Sequence, residues 1–103
     1  MSEGDAMIRH VVLFTWADEA TNEQRKTVAA ELSKLPGIIE QIRDYRLGDD
    51  LGISPGNQQF ALVADFDDVE SFLVYRDHPA HQAVIRDHIK PILASRAAVQ
   101  YEL

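Results

Sequence analysis

The stretch Tyr75-Arg76-Asp77-His78-Pro79-Ala80-His81-Gln82 gathers a phenol, two imidazoles and a carboxylate around one proline. Pro79 has no amide hydrogen, a fixed φ and a disfavouring effect on helical geometry at the residue before it. One helix is therefore predicted to end near Asp77 and another to begin at Pro79. Such a corner brings Tyr75, from the last turn of the first helix, and His81, from the first turn of the second, toward one space. Any chemistry is expected here, and His78, just before the proline, is read as a helix cap.

Upstream of the corner, Val69, Phe72 and Leu73 form the apolar stripe of a helix that starts at the acidic cap Asp67-Asp68. Gln59 to Phe66 alternates, with Phe60, Leu62, Ala64 and Phe66 against Ala61, Val63 and Asp65, and reads as a strand. Asp49 to Asn57, with Gly52, Pro55 and Gly56, has turn chemistry and reads as a loop. Ile42 to Leu47 is a strand with Tyr45 and Leu47 on one face and Asp44 and Arg46 on the other, charges that suit an edge or a rim. Thr21 followed by Gln24 is a capping-box pattern, and Val28, Leu32 and Leu35 recur at helical spacing until Pro36-Gly37, so a helix is predicted over Asn22 to Leu35. Met7 to Trp16 puts Ile8, His10, Val12, Phe14 and Trp16 on one face and Arg9, Val11, Leu13 and Thr15 on the other, a strand apolar on both sides. Downstream, His81, Ile85, His88 and Ile89 share a helical face until Pro91, and Ala97 to Leu103 is the final strand.

The order βαββαβ, with an extra helical segment before the last strand, predicts an α+β, ferredoxin-like fold: an antiparallel four-stranded sheet with helices on one face. The other face would carry Val11, Leu13, Ala61, Val63, Val99 and Tyr101 with no helix to cover them. A soluble monomer rarely leaves so broad an apolar surface in water, so a homodimer through this sheet face is expected.

With 103 residues, 46% of them hydrophobic and 26% charged, the chain has room for one core; residues 7–103 are read as a single domain and residues 1–6 as a loose, disordered tail. A net charge of -7 and the lack of a basic cluster argue against nucleic acid or an anionic membrane as partner. The absence of cysteine removes disulfides and thiolate chemistry and fits a cytoplasmic location. No apolar run reaches the roughly 18 residues of a membrane span, and the polar, acidic start is unlike a signal peptide.

Ile8-Arg9-His10-Val11-Val12-Leu13-Phe14, Leu35-Pro36-Gly37, Asp65-Phe66, Tyr75 through His81 and Arg96-Ala97-Ala98-Val99-Gln100-Tyr101 together resemble the stress-responsive dimeric α+β barrel (Dabb) family over about residues 7 to 103. The resemblance implies a dimeric α+β barrel built from two four-stranded sheets, with a cavity in each subunit between sheet and helices. A plant polyketide cyclase of this family, olivetolic acid cyclase, closes a ring by aldol condensation without a cofactor. Its Tyr–His pair falls on Tyr75 and His81, its lining histidine on His10, and its final-strand Asp on Gln100. A carboxylate can stabilise a protonated imidazole, whereas an amide can only hydrogen-bond it, so this exchange bears on the strength of the base.

The expected pocket is small and mostly apolar, lined by His10, Val12, Tyr45, Leu62, Tyr75, His81, Ala98 and Gln100, and it would bind, or transform without a cofactor, a small organic molecule. In a cyclase or isomerase, His81 would be the base and Tyr75 would donate to the developing enolate oxygen. In the structural alternative, His81 hydrogen-bonds backbone and Tyr75 fills the core with its hydroxyl satisfied. A non-enzymatic stress protein acting through a stable assembly and a cofactor-free monooxygenase are the other readings. No metal site is expected: His81 and His88, two helical turns apart, are about 10 Å from each other along the axis, too far to share an ion. The acidic groups Asp49-Asp50 and Asp65-Asp67-Asp68 lack calcium-loop spacing.

Overall fold

The computed structural model describes residues 6–103. The tail expected over residues 1–6 lies outside the described residues, except Ala6, which is half-buried. Strands β1 (Ile8–Trp16), β2 (Ile42–Asp49), β3 (Phe60–Phe66) and β4 (Leu93–Glu102) form one antiparallel sheet in the order β2-β3-β1-β4. Helix α1 (Asn22–Ser33) follows β1, and α2 (Val69–Asp77) and α3 (Pro79–Val84) follow β3. This is the ferredoxin-like arrangement predicted from the element order.

Strict alternation in β1 does most to place the core. Ile8, His10, Val12, Phe14 and Trp16 are buried, while the residues between them are half-buried on the opposite face. Phe60, Leu62, Ala64 and Phe66 of β3 join them, and Val28 and Leu32 of α1 and Tyr75 of α2 close the layer from the helix side. Truncating Leu62, which is buried at the centre of this layer, would cost about 2 to 5 kcal/mol through lost transfer energy and the cavity left behind.

Helix α1 begins where the capping box predicts: the Thr21 hydroxyl accepts from the Gln24 amide at 3.1 Å and the Gln24 side chain accepts from the Thr21 amide at 2.9 Å. It stops at Ser33, short of the predicted Leu35, and Leu35–Gly37 forms a 3-10 turn instead. Pro36 has no N–H to give the Leu32 carbonyl, so the α-helical ladder cannot pass it. Strand β2 runs to Asp49 rather than Leu47, because Gly48 and Asp49 pair with Ala61 and Phe60. Strand β4 begins at Leu93, not Ala97: Leu93 pairs with Trp16 across a bulge, and the residues after it pair with β1 in turn.

On α2, Asp68 caps the start as predicted, its carboxylate accepting from the Ser71 amide at 2.7 Å. The apolar stripe is Phe72 and Tyr75, with Leu73 half-buried. Val69 is exposed, because the first turn overhangs the end of the sheet beside Ile8 and Glu102. After α3 the chain widens into a π turn, Ile85–Ile89, and tightens into a 3-10 turn, Lys90–Ile92. The π turn breaks the face expected to hold His81 with His88. His81 faces the sheet with Ile85 and Ile89, and His88 faces α1 beside Glu31 and Lys34.

On the sheet face away from the helices, the register sets Val63, Val11 and Val99 in one row and Ala61, Leu13 and Ala97 in the next. Beside them Arg9 makes a bidentate pair with Asp65, at 2.8 and 2.9 Å. Val99 and Tyr101 are exposed and Val11, Leu13, Ala61 and Val63 half-buried. Beyond Leu93 every residue of β4 is exposed, so the helices do not reach over this edge.

Candidate functional site

The Pro79 corner is built by an exchange of hydrogen bonds. In a continuous helix the Ala80 amide would serve the Arg76 carbonyl; here His78, in extended conformation, takes that amide on its ring Nδ1 at 3.0 Å and caps α3. The Arg76 carbonyl, left over at the end of α2, is satisfied from the other side. His81 Nδ1 donates to it at 3.0 Å and Gln82 Nε2 donates to it at 2.6 Å. A carbonyl only accepts, so the neutral His81 ring carries its proton on Nδ1 and leaves Nε2 bare.

That ring lies face-on to Tyr75, with centroids 4.1 Å apart and planes 30° from parallel. The Tyr75 hydroxyl meets the Tyr45 hydroxyl at 2.8 Å. Burial, against which the Tyr45 hydrogen bond works in the other direction, raises the Tyr75 phenol to about 12. Burial, the neighbouring phenol's charge and their hydrogen bond also raise Tyr45. Both are neutral donors at neutral pH.

A cavity of about 640 Å³ opens between the inner sheet face and α2, α3 and the π turn. Of the residues predicted to line it, His10, Val12, Leu62, Tyr75, His81, Ala98 and Gln100 do so. Tyr45 does not. It stands on β2, at the far edge of the sheet, and reaches the site only through the Tyr75 hydroxyl. Gln100, weighed as the partner of the His81 imidazole, is paired by register with His10, and its Nε2 meets His10 Nδ1 at 2.9 Å. With the amide nitrogen donating, His10 accepts on Nδ1 and holds its own proton on Nε2. Burial first, then the charges of Arg96 and His81, push His10 down to about 4; burial is also the main cause lowering His81. The cavity wall thus carries a neutral imidazole with a bare Nε2 and another with an Nε2–H.

Sequence reasoning missed Phe14, Phe72, Ile85, Ile89 and Leu93 as the apolar wall, and Arg76, Gln82, Lys90 and Arg96 at its polar margin. Arg96 shares the alternation of Ala98 and Gln100, a signal hidden by starting the last strand at Ala97. Among the described residues no three His, Asp or Glu side chains gather where they could hold a metal ion.

The family model of the stress-responsive A/B barrel domain matches residues 8–103. The chain belongs to this family. An uncharacterised protein of Streptomyces coelicolor is 33% identical over 79 residues, which are 75% of this chain and 81% of that protein. A dimeric ferredoxin-like protein of unknown function from Thermobifida fusca has a crystal structure with a TM-score of 0.89 and 45% identity, covering 96% of this chain and 92% of its own. A hydroxynitrile lyase from Passiflora edulis shares the fold, with a TM-score of 0.85, 19% identity, and coverage of 95% and 94%. No helix among the described residues is long and apolar enough to cross a membrane.

Proposed function

We propose that this Dabb protein is a homodimer whose subunits each bind a small organic molecule in the sheet–helix cavity, and that Tyr75 and His81 move or stabilise a proton next to a carbonyl of that molecule. The observation that carries the reading is the bond from His81 Nδ1 to the Arg76 carbonyl, which fixes the tautomer that leaves Nε2 as a base in the cavity wall. In such a step Nε2 takes a proton from the carbon beside the carbonyl, the C–H electron pair becomes a carbon–carbon double bond, and the carbonyl π pair moves onto the oxygen to give an enolate. When Tyr45 is the donor in the bond between the two hydroxyls, Tyr75 keeps its own hydrogen to donate to that oxygen. Tyr45 is then a positioning residue. His10, with Nε2–H, is a further donor on the same wall.

Homodimerisation is supported by the apolar rows around Val11, Val63 and Val99 and by the dimeric relative from Thermobifida fusca. Sedimentation velocity tests the assembly. Isothermal titration with a panel of aromatic and β-keto acids tests the cavity: wild-type protein binds at least one member, and His81→Ala and Tyr75→Phe bind it more weakly. Binding unaltered in both variants would sink the Tyr75–His81 site.

A further inference from the structure

The chain carries 17 acidic residues against 10 basic ones, yet among the described residues no carboxylate lines the cavity, whereas Arg76, Lys90 and Arg96 do. The arginines differ in what holds them. Arg9, Arg43, Arg46, Arg76 and Arg86 each grip an aspartate, and Arg25 binds Asn22. Arg96 is the arginine with no side-chain acceptor among the described residues. It stands on β4 opposite Phe14, on the alternation that turns Ala98 and Gln100 into the cavity, and its charge reaches both His10 and His81. An acidic protein has many ways to neutralise an arginine, and among the described residues none of them holds this one, which lines a largely apolar chamber.

We propose that the cavity selects anions, and that Arg96, with Lys90 as a second cation on the cavity lining, receives the carboxylate of an aromatic or similarly planar organic acid. This rests on the small-molecule reading of the cavity and names the ligand class for it. A guanidinium presents two parallel N–H donors to the two oxygens of a carboxylate, which fixes direction as well as charge. Phe14, Phe72, Ile85 and Leu93 supply the apolar wall for the body of the acid. The bound acid is thereby oriented with its charged end at β4 and its far end toward Tyr75.

Titration calorimetry with 2-naphthoate, 2-naphthamide and 2-naphthyl phosphate tests this, using the full chain and the variants Arg96→Gln and Arg96→Lys. Arg96 is exposed, so neither change disturbs the core. The expected result is naphthoate binding at least tenfold tighter than the amide, a preference that salt weakens, that Arg96→Gln removes without changing amide affinity, and that Arg96→Lys partly restores. Equal binding of acid and amide, with the His10 and His81 ring signals shifted by both, would leave the cavity reading standing and overturn anion selection. A preference that survives Arg96→Gln would also overturn it, and tighter binding of the phosphate would overturn the carboxylate assignment. Failure of all three probes to bind at millimolar concentration would overturn both readings.

Discussion

The rings of Tyr75 and His81 lie face-on at 4.1 Å, and no hydrogen bond joins them: the hydroxyl is bound to Tyr45 and the imidazole Nδ1 to the Arg76 carbonyl. The two residues are therefore unequal in what they do for stability. Tyr75 is buried at 1% exposure, so Tyr75→Phe strands the Tyr45 hydroxyl and should cost about 1 to 3 kcal/mol, lowering the unfolding midpoint by several degrees. In His81→Ala, Gln82 still serves the Arg76 carbonyl, and the loss should be smaller. Thermal unfolding of both variants checks the order; a larger loss for His81→Ala would show that its hydrogen bond is not backed by Gln82.

His10 gives the fold a pH dependence of definite sign. Its folded value of about 4 lies below the ordinary 6.5, so between these limits the unfolded chain binds the proton and the folded chain does not. The full stability is present above about pH 6.5 and is lost as pH falls toward 4, by roughly 3 kcal/mol in all. His81, also lowered, acts in the same direction. Urea unfolding across this window should slope less steeply for His10→Asn than for wild type, and equal slopes would contradict a buried neutral His10.

Gln100→Asp sets a carboxylate against His10 Nδ1 in place of an amide donor. Nδ1 must then carry the proton, and the neighbouring charge favours the imidazolium, so the His10 value should rise from about 4 while His81 changes little. Histidine ring NMR titration reads both residues. A shift at His81 with none at His10 would place Gln100 against the other imidazole.

Val63→Lys puts an ammonium in the middle of the apolar sheet face, between Val11 and Arg46 in register. If that face is the dimer contact, the variant buries an unpaired charge at a cost of several kcal/mol and should sediment as a monomer or precipitate. Wild-type protein that is monomeric at micromolar concentration would contradict the sheet-face dimer.

The corner was legible because its determinants are local. Pro79 forbids one amide bond, and the ends of α2 and α3, like the His78 cap, follow within a residue or two. Alternation in β1 likewise told inner from outer face. What depended on register or on departures from ideal periods was not legible: Gln100 meets His10 rather than His81 because β4 pairs residue by residue with β1, and His88 leaves the His81 face because a π turn spends an extra residue. Tyr45 looked like a lining residue from its place on an inner strand face, but sheet order puts Tyr75 between it and the cavity. Arg96 was hidden by a strand that starts earlier than the predicted Ala97, since pairing with Trp16 draws Leu93 into the sheet.

The central claim, that His81 is a base in a ligand-binding cavity, is tested most directly by deuterium incorporation into the methyl group of 3-acetylbenzoate in D2O, followed by proton NMR. This probe joins the carboxylate that Arg96 would hold to a carbonyl with exchangeable neighbouring hydrogens. Wild-type protein should speed the exchange well above buffer, with the acceleration lost in His81→Ala and reduced about tenfold or more in Tyr75→Phe. Bound 3-acetylbenzoate that shifts the His81 ring signals yet exchanges no faster than in buffer, or equally fast with His81→Ala, would contradict the account.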